Sequence, residues 1–148
     1  MIHKIPMVYQ IESTDGLAAC LATILETSIK DVKEKFKQTF PDEELNTCST
    51  DIIINFLSMQ DICPLRLLVQ GLTYFNYPSD TIVLLFCVSP ITPFMTYSVL
   101  LNGETSETSK IFDPCKESIF HGINLIETPI TITEAIVIHS FNKIQIEP

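Results

Sequence analysis

Apolar residues recur at intervals of three and four through Leu17, Cys20, Leu21, Ile24 and Leu25, with Ala18, Ala19 and Ala22 between them. That spacing predicts a helix, capped by Asp15 and running to about Glu26. A helix so rich in small residues, and apolar on every face, belongs at the centre of the molecule. Ser28 predicts the cap of a second helix, Ile29 to about Gln38. Val32 and Phe36 face inward there, and Lys30, Lys33, Glu34 and Lys37 face out. Asp31 in its first turn suits the helix dipole. Pro41-Asp42-Glu43-Glu44 reads as a polar connection. Ser49 or Thr50 then caps a third helix to about Met59, with Ile52, Ile53, Phe56 and Leu57 as its inward stripe.

After Pro64 the period changes. Leu65–Val69 reads as a strand, and the apolar, β-branched run Thr81–Val88 as a central one. Phe94–Leu101 alternates in part and predicts another strand, followed by a turn at Asn102-Gly103. Lys110–Asp113 is a short returning strand that Pro114 ends. Ala135–Ser140 and Lys143–Glu147, with Asn142 near the turn, complete an expected meander. Pro6 and then Tyr9-Gln10 read as an extended approach to the first helix. Helices followed by an antiparallel sheet make an α+β layout. No linker, repeat or low-complexity block divides the chain, so residues 1–148 are expected to form one domain.

Composition narrows the function classes. The hydrophobic fraction of 46% supplies a core without disulfide staples. No apolar run is long enough to span a membrane as a helix. The N-terminal stretch lacks a signal-peptide pattern, so a cytoplasmic location is expected. The net charge of −9 leaves no basic face for nucleic acid or an anionic membrane, whereas a basic peptide or protein would be attracted. The Lys30–Lys37 run reads as the solvated side of a helix. The five cysteines, Cys20, Cys48, Cys63, Cys87 and Cys115, are odd in number and contain no Cys-x-x-Cys pair. They are expected to be buried or partly buried free thiols, with no metal site and no cofactor.

The approach to the first helix carries the strongest chemical signal. Gln10 stands six residues before Gly16, Asp15 precedes Gly16, and Ala18-Ala19-Cys20-Leu21-Ala22 follows. Downstream come Thr96-Tyr97-Ser98-Val99-Leu100 and then Asp113-Pro114. The separations are 96 − 16 = 80 and 113 − 96 = 17 residues. This arrangement resembles the papain-like peptidase domain of bacteriocin-processing ABC transporters, which cuts double-glycine leader peptides. The resemblance covers nearly the whole chain and implies a papain-like fold, with N-terminal helices packed on an antiparallel sheet. Such a peptidase needs a thiolate at a helix N-terminus, where the dipole lowers the thiol pKa. It also needs an imidazole base oriented by a carboxylate or amide, and an oxyanion donor. The resemblance puts Gln10 at the donor, Asp113 at the orienting carboxylate, Gly16 at the nucleophile and Thr96 at the base.

Gly16 has no side chain and Thr96 is no base near neutral pH, so the covalent mechanism is lost. Slipping the alignment by one puts Asp15 at the nucleophile and restores no thiol. Deliberate inactivation commonly replaces the nucleophile and leaves the base, so the double loss reads as natural decay. The expectation is a pseudoenzyme that binds a peptide or protein, basic or leader-peptide-like, as adaptor or inhibitor. Gln10, Asp15, Gly16, Thr96, Tyr97 and Asp113 are its expected binding residues. The alternative is a hydrolase or transferase with a relocated nucleophile such as Cys115, served by His3, His121 or His139. A structural subunit, as a dimer, is a third possibility. Cys20, one turn into the first helix, is expected to pack. Asp113 before Pro114 reads more simply as a strand-end turn. Tyr74, Phe75 and Tyr77 read as local packing in preference to a groove lining.

Overall fold

The computed structural model describes residues 2–69, 72, 75–88, 96–104, 108–128 and 130–148. Tyr74, and the Phe94-Met95 start of the expected strand, lie outside the described residues. The elements in chain order are β1 (Ile2–Pro6), α1 (Gly16–Leu25), α2 (Ile29–Thr39), α3 (Thr50–Met59), β2 (Cys63–Leu67), β3 (Ile82–Val88), β4 (Thr96–Asn102), β5 (Lys110–Phe112), β6 (Thr131–His139) and β7 (Lys143–Glu147). Short 3-10 turns, Ser13–Asp15 and Leu125–Glu127, precede α1 and β6. The layout is mixed α+β, with three helices on a mostly antiparallel sheet. Among the described residues no helix is long and apolar enough to cross a membrane.

The five-stranded sheet has the order β2-β6-β3-β4-β5, every neighbouring pair antiparallel. β3 is its middle strand and buried on both faces, which explains a continuous apolar run where a half-exposed strand would alternate. Ile82 and Leu84 join α1, α2 and α3 in one core, and Val83, Leu85 and Cys87 join a second core on the opposite face. Phe75, Phe120, Leu125 and Ile130 cover that second face. Phe75 packs on Tyr77, so this aromatic pair serves local packing. α1 is central as expected, with residues 18–24 all buried.

Three expectations change. The Lys143–Glu147 strand does not extend the meander: β7 pairs in parallel with β1, a strand of which only Pro6 reads from the sequence as extended chain. A buried side chain helps to link β7 to the main sheet, beside the bond from the Ile144 amide to the Asp80 carbonyl. The Asn102 Nδ2 group donates to the carbonyls of Thr81 and Ile144, and its Oδ1 accepts from the Ile146 amide. Asn102 is therefore a buried bracket at the end of β4, not a turn residue. Finally, β2 begins two residues earlier than Leu65 and contains Pro64. It is an edge strand, and proline is tolerated where no outward ladder bond is required.

All five cysteines are free. Cys20 and Cys87 are buried and Cys48 and Cys115 partly so, but Cys63 is exposed, because the edge position of β2 leaves its outer side uncovered.

Candidate functional site

The N-terminus of α1 opens onto a cleft of about 1350 Å³. One wall is Gln10, Ser13, Gly16 and Leu17. The opposite wall is the start of α3, Ser49 to Asp51, with Ile53 behind it. Ser49 caps α3 by accepting from the Ile52 amide. The floor crosses the sheet through Ser98, Phe86 and Glu134, which are in register on β4, β3 and β6. A bulge follows Phe86, where the Thr133 hydroxyl donates to the Phe86 carbonyl at 2.8 Å. Asp113, Pro114, Cys115 and Ser118 to Phe120 also line the cleft, with Pro114 beside Gly16.

Gly16 is helical, with φ −55 and ψ −53. A Cβ built there would lie 3.4 Å from Gln10 Oε1 and 3.8 Å from Pro114 Cγ. The Gln10 amide donates to the Pro114 carbonyl at 2.9 Å, which ties the approach segment to the turn after β5. Gln10, Gly16, Tyr97 and Asp113, distant in sequence, therefore line one cleft. Thr96 opens β4 opposite Val88; its side chain lies outside the described residues.

Asp15 departs from expectation. It precedes α1 but makes no side-chain cap bond. The 3-10 turn that it ends directs the carboxylate backwards, where it accepts from the Glu12 amide at 3.2 Å. Its other oxygen meets Lys33 Nζ at 2.5 Å. The side chain is buried between α1 and α2 and does not line the cleft. The bond from Lys33 holds its pKa below the usual carboxylate range, against the opposing effect of burial. Lys33 is therefore more than a member of a solvated face.

Burial pushes the Asp113 carboxyl upward, while the Ser118 hydroxyl, the Cys115 amide and nearby His121 pull it down. Asp113 Oδ1 accepts from the Cys115 amide at 2.9 Å, the strand-end turn expected from Asp-Pro. Tyr97 Oη is buried without a hydrogen-bond partner, and its pKa is raised by burial and by the neighbouring Cys87 thiol and Asp113. Burial also raises Cys87 to about 12.

Among the described residues no thiol is hydrogen-bonded to an imidazole, although Cys63 and His139, both exposed, stand directly opposite each other on β2 and β6. Cys20 Sγ lies 3.6 Å from the Ser98 carbonyl, fully buried, and burial drives its pKa well up. It locks α1 onto β4. Cys115 Sγ has Glu117 as its hydrogen-bond partner, at 3.9 Å. His121 Nδ1 accepts from the Asp113 amide at 3.1 Å, so that nitrogen carries no proton and Nε2 is the donor of the neutral ring. Nε2 lies 3.3 Å from Tyr9 Oη. Both ring nitrogens are thus engaged away from Cys115. His3 meets Glu26, and His139 stacks edge-on to Phe141. Among the described residues no His, Cys, Asp and Glu cluster is arranged to hold a metal ion.

Sequence reading missed the α3 wall, Phe86 and Glu134. Only the pairing of β3 with β6 brings the last two together, and no local pattern encodes that register. Compared with known proteins, the chain matches no family model and no curated protein.

Proposed function

We propose that this chain is a catalytically inactive papain-like domain whose cleft binds a peptide or protein segment, as adaptor or inhibitor. The observation that carries the reading is Gly16. It stands at the N-terminus of the buried central helix, with Gln10 beside the position a side chain would take and Asp113 lining the same cleft. A nucleophile there would have the helix dipole and the Gln10 side-chain amide to hand. Glycine offers neither thiol nor hydroxyl, and its helical backbone conformation does not require glycine. What survives is an open groove with Phe86 between Ser98 and Glu134 on its floor and polar groups on its walls, the character of a recognition surface.

The test has two arms. In the first, purified protein is incubated with double-glycine-containing peptides; no turnover is expected, and robust turnover that persists in Cys20→Ala and Cys115→Ala variants overturns the inactive reading. In the second, wild type and Gly16→Tyr, matched by circular dichroism, are probed on an array of random octapeptides. Binding that Gly16→Tyr abolishes is expected. Binding unaffected by the tyrosine overturns the cleft as the recognition site.

A further inference from the structure

Three carboxylates, Asp51, Asp113 and Glu134, line the cleft against one guanidinium, Arg66. Arg66 is already committed, its Nη2 lying 2.6 Å from Asp51. The charge left over is therefore negative, as in the whole chain at −9. Glu134 is half-buried on the floor and, among the described residues, accepts a hydrogen bond from the Thr50 hydroxyl on one oxygen only. Its direct cross-strand partner is Phe86, also half-exposed. Directly opposed residues of an antiparallel pair place their Cβ atoms about 5 Å apart on one face. An aromatic ring and a carboxylate held side by side match the two parts of an arginine or lysine side chain. The ring takes the aliphatic stem or the face of the cation, and the carboxylate takes its charge.

We propose that the cleft binds an extended polypeptide through one basic side chain, preferably arginine, seated on Phe86 with its charged head at Glu134. The proposal rests on reading the cleft as a polypeptide-binding site. Arginine is preferred because a planar guanidinium both stacks on a ring and presents paired donors to a carboxylate. The alternative occupant, an anionic group drawn to the two helix N-termini that face the cleft, would meet these same carboxylates unscreened.

An array of random octapeptides with one fixed central arginine, beside the same array with citrulline, tests this on the full chain. Citrulline keeps the shape and removes the charge. Wild type is expected to favour the arginine array, with the preference shrinking as salt is raised. Glu134→Gln keeps an acceptor for Thr50 and is expected to lower arginine-array binding about tenfold and erase the preference. Phe86→Leu keeps that position apolar and is expected to cost about fivefold. Glu34→Gln and Glu127→Gln, exposed and outside the cleft, control for overall charge and are expected to change binding less than about twofold. A preference that survives Glu134→Gln, or that the two controls reduce equally, overturns the proposal. Equal binding to both arrays, lost in Gly16→Tyr, overturns the basic anchor and leaves the cleft reading standing. No binding to either array overturns both.

Discussion

Two glycines, Gly16 at the cleft and Gly103 just beyond β4, allow the packing to be tested with opposite signs. Neither Gly16 nor Gly103 has a positive φ, so alanine meets no backbone penalty at either. Both replacements restrict the unfolded chain alike, which stabilises by about 0.4–1 kcal/mol. The difference is space. At Gly16 the new methyl meets Gln10 Oε1 at 3.4 Å and Pro114 Cγ at 3.8 Å, ordinary contacts that add a few tenths of a kcal/mol at most. At Gly103 it would lie 2.6 Å from Ser109 Cα and 2.9 Å from Ser109 Oγ. Carbon atoms prefer about 3.5–4.0 Å, so backbone must part by about 1 Å. The bond from the Asp80 amide to the Gly103 carbonyl, at 2.8 Å, resists that movement. Overpacking of this kind costs about 1–3 kcal/mol. In a chain of 148 residues, 1 kcal/mol moves the melting temperature by about 2–4 °C. Gly16→Ala is therefore expected to raise Tm by about 1–4 °C, and Gly103→Ala to lower it by several degrees. Thermal melts followed by circular dichroism measure both. A Gly16→Ala melt more than about 2 °C below wild type refutes the geometry. It would mean that the bare helix start is needed for packing, and the glycine would lose its meaning as an emptied catalytic position.

Other expected outcomes follow from single contacts. Asn102→Ala leaves two carbonyls and one amide without their partner, and a urea titration should show a loss of about 3 kcal/mol with unchanged slope; a loss below about 1 kcal/mol would deny the bracket its role. Asp15 has a depressed folded pKa, so the stability it gives is present above its ordinary value of 3.8 and lost as pH falls through the folded value. The gap in urea midpoint between wild type and Lys33→Met should accordingly be widest above 3.8 and close on acidification; a gap independent of pH would rule out the ion pair as its source. Under native conditions an alkylating reagent should label Cys63 first and leave Cys20 and Cys87 untouched until the protein unfolds, read by peptide mass mapping; early labelling of Cys20 would contradict its contact with β4.

Local rules carried most of the helices. Ser28 and Ser49 cap where their side chains can reach an amide three residues on, and the three-and-four spacing placed α1, α2 and α3 to within a residue or two. The middle position of β3 was legible because a strand buried on both faces must be apolar throughout. Partnership was not legible. Lys143–Glu147 alternates like any edge strand, and nothing in it specifies a parallel match to Ile2–Pro6, 143 − 2 = 141 residues away in the register Ile2↔Lys143. Asn102 followed by glycine carries a turn signal, yet it is consumed by three buried bonds, two of which exist only once β7 arrives.

The candidate site divides the same way. Sequence alone determined what the helix start lacks: residue 16 is glycine, and no fold can give it a reacting atom. Tertiary structure decided what surrounds it. Asp15, adjacent in sequence, is turned away by the 3-10 turn and held by Lys33, while Gln10 and Pro114 are brought to the glycine. Glu134 and Phe86 become neighbours through a ladder between distant strands. A residue's chemistry is a property of its side chain and is written in the sequence. Its company depends on strand register and chain reversal, which are set by the burial of the whole sheet on both faces.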